Sequence, residues 1–160
     1  MGWETKKLGE ACDVRDGTHD SPKYQDVGFP LITSKNLKPS GLNFEKVKYI
    51  CKEDYQSISK RSGVSEGDIL FAMIGTIGNP IIVGNEIEFA IKNVALIKKN
   101  DSVNNYYMKY FLGSNATITK MRVEAKGSTQ KFVSLGYLRS FEIPLPPLET
   151  QARIVSILDS

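Results

Sequence analysis

A chain of 160 residues, 41% apolar and 24% charged, has the size and composition of one globular domain, able to bury roughly two-thirds of its unfolded surface. No apolar run approaches the ~20 residues of a membrane span, and MGWETKKLGE lacks the apolar centre of an export signal, so a cytoplasmic protein is expected. The net charge of +3 singles out no partner class, but Lys120, Arg122, Lys126 and Lys131 face only Glu124, so residues 120–131 carry as much net charge as the whole chain.

In chain order, WETKKLGEAC suits a short helix with Trp3, Leu8, Ala11 and Cys12 turned inward. The stretch DGTHDSPKYQDVGFP is loop chemistry, LITSKN a short strand, and FEKVKYIC a half-buried strand in which Val47, Tyr49 and Cys51 alternate with Lys46, Lys48 and Ile50. EDYQSISK reads as helix, SEG as a turn, and DILFAMI, apolar almost throughout, as a buried central strand. PIIV and EIEFAI flank Gly84-Asn85 like the arms of a hairpin, and VALIKK follows as another strand. Asp101 or Ser102 is the expected cap of a helix through NNYYMKYFL that Gly113 ends, with a second helix over 115–122. GSTQK is a loop, LGYLRS a helical turn, and FEIPLP an edge strand running into proline-fixed extended backbone. The last segment, PPLETQARIVSILDS, opens an amphipathic helix. Pro147 suits its first turn and Glu149 its positive end, and Leu148, Ala152, Val155 and Leu158 recur near heptad spacing with Ile154 beside them. Strands mixed with local helices, without regular βαβ alternation, predict an α+β fold: a mixed, largely antiparallel sheet with short flanking helices.

Catalytic chemistry finds little footing. His19 is the sole histidine, and Asp16, His19 and Asp20 have no second cluster to complete a metal sphere. Cys12 and Cys51 are far apart, without metal-ligand spacing, and are expected as buried thiols. Gly63-Val64-Ser65-Glu66-Gly67 has G-x-S-x-G spacing, but it lies between an expected helix and an expected strand, the reverse of the strand-to-helix elbow that exposes a serine nucleophile. Glu124-Ala125-Lys126 and Glu4-Thr5-Lys6 have nuclease-like acidic-x-Lys spacing, but neither follows an apolar strand with a Pro-Asp pair before it. Gly75-Thr76-Ile77-Gly78 forms GxxG directly after DILFAMI, where a KH-type phosphate loop and a tight turn needing positive φ are both open readings; a Walker loop is excluded because no Gly-Lys-Ser/Thr follows. No catalytic or metal-ligating residue is therefore assigned.

What remains is polar loop material of the kind that touches nucleic acid: Thr18, His19, Lys23, Tyr24, Ser34, Lys35, Asn36, Thr76, Lys126, Ser128, Gln130 and Lys131. Lys23, Lys35, Lys126 and Lys131 are the phosphate candidates. Ser34, Asn36, Thr76 and Gln130 are the candidates near bases, since Asn and Gln carry the paired donor and acceptor that read adenine in a major groove. His19 orders its loop or meets a ligand, and its position leaves both open.

The order of short motifs is familiar. Leu8-Gly9-Glu10, Asp16-Gly17-Thr18-His19, Gly28-Phe29-Pro30-Leu31-Ile32-Thr33 with Asn36, Gly67-Asp68-Ile69-Leu70, Ile74 to Gly78, Gln130-Lys131-Phe132 and Ile143-Pro144-Leu145-Pro146-Pro147-Leu148 with Gln151 run nearly end to end. In that order they resemble one target-recognition domain of the specificity subunit of type I restriction-modification systems. The resemblance implies a DNA-reading module with no chemistry and no cofactor of its own. Its implied partners are double-stranded DNA, methyltransferase subunits that bind S-adenosylmethionine and methylate adenine, and a motor-nuclease subunit that uses ATP and Mg²⁺. It also implies that the terminal helix, through Leu148, Ala152, Ile154, Val155 and Leu158, meets a second recognition domain or a second copy. On this reading residues 1–147 form the recognition domain and 148–160 begin the spacer helix. The family pattern has two recognition domains and long spacer helices, so a half-subunit or an excised fragment is expected; a recognition domain of a fused methyltransferase-nuclease is the alternative. From other classes, a metal-dependent nuclease, a KH-like RNA binder and a purely structural adaptor stay open.

Overall fold

The most apolar stretch becomes the centre of the fold. In the computed structural model, which describes residues 3–85, 88–127 and 129–160, strand β7 (Ile69–Ala72) is buried at every position. A strand alternates its side chains between two faces, and both faces here are covered. Ile69 and Phe71 enter one core with Leu8, Met108, Leu112 and Met121; Leu70 and Ala72 enter another with Ile32, Leu37 and Phe89. Strand β10 (Val94–Ile97) beside it divides the same way, Ala95 and Ile97 against Val94 and Leu96. The antiparallel sheet runs β2 (Val14–Asp16), β10, β7, β8 (Gly78–Ile82).

A second sheet has the order β6 (Lys48–Ile50), β3 (Phe29–Ile32), β9 (Ala90–Ile91), antiparallel between β3 and β6 and parallel between β3 and β9. Two small ladders complete the strands: β4 (Leu37–Lys38) with β5 (Gly41–Leu42), and β1 (Glu4–Lys7) with β11 (Glu142–Leu145). A 3-10 turn, Ser34–Asn36, links β3 to β4. The helices are α1 (Leu8–Ala11), α2 (Lys52–Ser62), α3 (Asn105–Leu112), α4 (Asn115–Glu124), α5 (Leu135–Ser140) and α6 (Leu148–Asp159). The expected α+β class, with a largely antiparallel sheet, is what the molecule has.

Local chemistry sets the helix starts. Asn104, Ser114 and Ser134 cap α3, α4 and α5, each side-chain oxygen accepting backbone N–H groups of the first turn. The cap of α3 is thus Asn104, not Asp101 or Ser102. Other expectations also shift. WETKKLGEAC divides into β1 and α1, leaving Trp3 about half exposed, because residues 4–7 pair with β11. In β6 Lys48 is exposed and Tyr49 half-buried as expected, but the fully buried side chain is Ile50, which packs with Leu31 and Ala90 of the neighbouring strands. EIEFAI is not the partner of PIIV. Only Ala90 and Ile91 of it form strand, and they pair with β3 in the other sheet; Glu86 and Ile87 lie outside the described residues.

Cys12 is buried, and burial pushes its thiol up to about 11. A thiolate is the reactive form, so Cys12 should resist iodoacetamide at pH 8 in the native chain and react once the chain is unfolded in urea. Peptide mass mapping reads the difference, and rapid native labelling of Cys12 would contradict its burial.

Candidate nucleic-acid interface

The end of β7 carries a register shift against β8 between Leu70 and Ala72, after which the chain turns through Gly75 at φ 73°. That bulge releases the N–H groups of Met73 and Ile74 from the ladder, and the hydroxyl of Ser34 accepts both at 3.2 and 3.4 Å. The 75–78 turn projects beside a small hairpin in which Lys126 and Phe132 exchange N–H···O bonds of 3.0 and 2.9 Å. Gly75 N–H donates to the Lys131 carbonyl at 2.8 Å, so turn and hairpin are tied together. Thr76 and Gln130 come side by side this way.

The same space is bordered by the 3-10 turn, whose Ser34 meets Met73 and Ile74 directly, by Lys38 and Asn43 at the β4–β5 hairpin, and by Glu45, Lys46 and Lys48 about the start of β6. The Lys92-Asn93 turn between β9 and β10 forms the floor. Together they enclose an open groove of about 770 Å³. Among the described residues, Lys35, Lys38, Lys46, Lys48 and Lys92 line it against a single carboxylate, Glu45. Tyr24 stands at the rim, 40% exposed, with the Lys48 ammonium 4.9 Å from its ring centre. An open, strongly cationic groove with one aromatic edge has the charge that a phosphate backbone calls for.

The family described as "Type I restriction modification DNA specificity domain" matches residues 1–160. The chain belongs to this family. A specificity domain so defined is 28% identical, over 98% of its length, to a protein named for the MjaX type I restriction enzyme specificity subunit of Methanocaldococcus jannaschii, and 32% identical over 98% to the MjaVIII specificity subunit of the same organism. It spans 38% and 35% of those two relatives. Among solved structures, the HsdS subunit from Thermoanaerobacter tengcongensis shares the fold, with a TM-score of 0.68 at 22% identity over 99% of this chain and 37% of that one.

Half of the residues singled out from the sequence of this specificity domain line the groove: Tyr24, Ser34, Lys35, Asn36, Thr76 and Gln130. Two of these are corrected by their bonding. Asn36 is 7% exposed; its amide oxygen accepts from the N–H and hydroxyl of Thr33 at 2.9 and 3.2 Å, and its amide nitrogen donates to the Asn43 carbonyl at 3.0 Å. No donor or acceptor pair remains to read adenine. Ser34, equally buried, holds the β7 bulge and donates to the Asn93 carbonyl at 3.3 Å. Both build the groove rather than face its contents.

The others lie apart. Thr18 accepts from the N–H of Asp20 at 3.1 Å and lines a separate cavity with Asp54 and Arg61. His19 is held between Asp16 and Asn93. Lys23, Lys126 and Lys131 are exposed on neighbouring loops without lining the groove, and Ser128 lies outside the described residues. Lys38, Lys46, Lys48, Lys92 and Asn93 were not anticipated as site residues. The signals were slight: Lys46 and Lys48 alternate with apolar residues, and Lys92-Asn93 is a polar pair wedged between two apolar strands.

The rival chemistries fare poorly in the geometry. The GxxG turn leaves a strand and enters a strand, whereas a KH loop lies between helices. Glu124 bonds the Tyr137 hydroxyl and pairs with Lys120 at 3.6 Å, and among the described residues no group of three His, Cys, Asp or Glu side chains could hold a metal. Among those residues no helix is long and apolar enough to cross a membrane.

In α6, Gln151 points inward, 2% exposed, accepting from Asn104 N–H at 2.9 Å and donating to the Pro146 carbonyl at 2.8 Å. Leu148, Ala152 and Leu158 face outward, Ile154 and Val155 are half-buried, and Ile157, not singled out before, is 65% exposed.

Proposed function

We propose that this specificity domain reads the sequence of double-stranded DNA through the lysine-lined groove and carries no catalytic residue of its own. The convergence of five lysines against one carboxylate, around the tips bearing Thr76 and Gln130, is the observation that carries the reading. Lysines place the duplex by its phosphates, and the uncommitted side chains discriminate its bases. In this reading the domain works within a specificity subunit, directing partner methyltransferase subunits that bind S-adenosylmethionine and a motor-nuclease subunit that uses ATP and Mg²⁺. The outward apolar side chains of α6, Leu148, Ala152 and Leu158 with Ile154 and Val155 at their margin, would meet a second recognition module or a second copy. Lys23, Lys126 and Lys131 would reach flanking phosphates.

The test is selection of bound duplexes from a randomised pool by the full chain, followed by a salt titration on the selected site. A short shared motif is expected. With each of the five groove lysines and the three flanking lysines neutralising one phosphate, log Kd against log salt should have a slope of about 7 in magnitude. Replacing Lys35, Lys46 or Lys92 by Ala should flatten that slope by about 1 each and weaken all duplexes alike. An unselective pool with flat salt dependence would overturn the reading. Preference for single-stranded RNA would favour the RNA-binding rival, and Mg²⁺-dependent nicking abolished by Glu124→Ala the nuclease.

A further inference from the structure

Asn93, on the floor of the groove, is a polar residue that the scaffold fixes from several sides. It occupies left-handed backbone at φ 54° in the turn between β9 and β10. Its backbone N–H donates to the Thr18 carbonyl at 3.1 Å, and its own carbonyl accepts from the Ser34 hydroxyl at 3.3 Å. Its side-chain oxygen lies 2.6 Å from Nδ1 of His19. His19 is held in turn at Nε2, 2.8 Å from one oxygen of Asp16, a carboxylate only 4% exposed whose other oxygen takes the Arg61 guanidinium. A buried carboxylate thus sets the imidazole, and the imidazole sets the carboxamide.

Both contacts of His19 are to oxygen atoms, which requires both ring nitrogens to donate, as only the imidazolium does; in that form the amide oxygen of Asn93 is committed to His19. The nitrogen, which carries two hydrogens to donate, has no partner among the described residues, and Asn93 lines the groove together with Thr76 and Gln130. Acceptors abound on base edges in a major groove: N7 and O6 of guanine, N7 of adenine and O4 of thymine. A side chain already held in one orientation loses little rotamer freedom on contact, unlike the exposed Gln130.

We infer that Asn93 is a base-reading residue that presents its amide N–H to an acceptor on a purine or thymine edge, with His19 and Asp16 as the residues that position it. The inference rests on the groove being the DNA-reading surface. A histidine and asparagine that merely close a loop would look alike in bonding but not in effect on the sequence that is read.

The test compares duplexes selected from a randomised pool by the wild-type chain with those selected by Asn93→Gly, Asn93→Asp and His19→Ala, each with a thermal melt. Glycine keeps the left-handed backbone and deletes the amide; aspartate keeps shape and backbone but offers acceptors only. Asn93→Gly and His19→Ala should relax the preferred base at one and the same position of the motif, by roughly 10-fold or more. Asn93→Asp, the variant closest to native in shape, should turn that position toward a base offering a donor, cytosine or adenine. Retention of the wild-type motif by Asn93→Gly, or uniform weakening with no position relaxed, would overturn the inference. So would different positions relaxed by the Asn93 and His19 changes, since His19 would then act independently. If the wild-type chain itself selects no motif, the reading of the groove fails first and this inference with it.

Discussion

Asp68→Ala should lower the unfolding free energy by about 3 kcal/mol, within the range for removing one partner of a buried ion pair. Asp68 is 2% exposed and all of its bonding is internal. One oxygen lies 2.6 Å from the Lys98 ammonium and accepts the Ser65 N–H at 2.8 Å; the other accepts the Lys99 N–H at 2.9 Å. Alanine would leave two backbone donors and a cation facing an empty space. The Lys98 side chain is 25% exposed and also donates to the Gly63 carbonyl at 3.0 Å, so water and that carbonyl recover part of the loss, which places the cost at the lower end of the range. Asp68→Asn keeps one acceptor for the Lys99 N–H but turns either a neutral oxygen or an amide nitrogen toward Lys98, and should fall between wild type and alanine. Urea unfolding of the three chains measures the order. A change below about 1 kcal/mol for alanine would mean that solvent replaces the carboxylate freely, contrary to its burial.

The Gly67-Asp68 pair shows what a sequence of this kind makes legible. DILFAMI announces a central strand because its apolar run has no polar face to give to water, and both faces of β7 are indeed buried. Helices set by local chemistry, α3 with its Gly113 end, α4 and α5, were legible for the same reason: their signals lie within a turn of the effect. What depended on distant partners was not. Residues 4–7 become strand because 142–145 are beside them, and Ala90–Ile91 joins β3 rather than the nearer β8. The site divides likewise. Lys35, Thr76, Gln130 and Tyr24 were visible as polar or aromatic tips of loops. Asn36 and Ser34 looked the same in sequence, yet their polar atoms are committed to the backbone of the groove wall. Lys46, Lys48 and Lys92 become neighbours only once the second sheet has formed.

Gly17→Ala should cost about 3 kcal/mol, the upper end of what overpacking costs, and should blur sequence reading in the molecules that still fold. A Cβ at this position would stand 2.2 Å from the Ile91 carbonyl oxygen, 2.4 Å from its carbon and 2.8 Å from the Lys92 nitrogen. All three are backbone atoms, so no side-chain rotation relieves the overlap and the chains themselves must part. They meet here for a reason: Gly17 N–H donates to the Val94 carbonyl at 3.0 Å and Thr18 N–H to the Ile91 carbonyl at 3.1 Å, tying the end of β2 to the turn that carries Lys92 and Asn93 into the groove. Prising Gly17 from Ile91 weakens the Thr18 carbonyl's hold on Asn93 and moves its amide relative to His19. Binding to a selected duplex should therefore fall further than binding to random duplex, which depends on lysines spread around the groove. Gly136→Ala supplies the contrast. It sits in α5, where an added Cβ meets nothing closer than 4.0 Å, and alanine there should raise stability by about 0.5–1 kcal/mol through helix propensity. Equal effects of the two substitutions in urea melts would show that the close approach at Gly17 is not what its neighbours require.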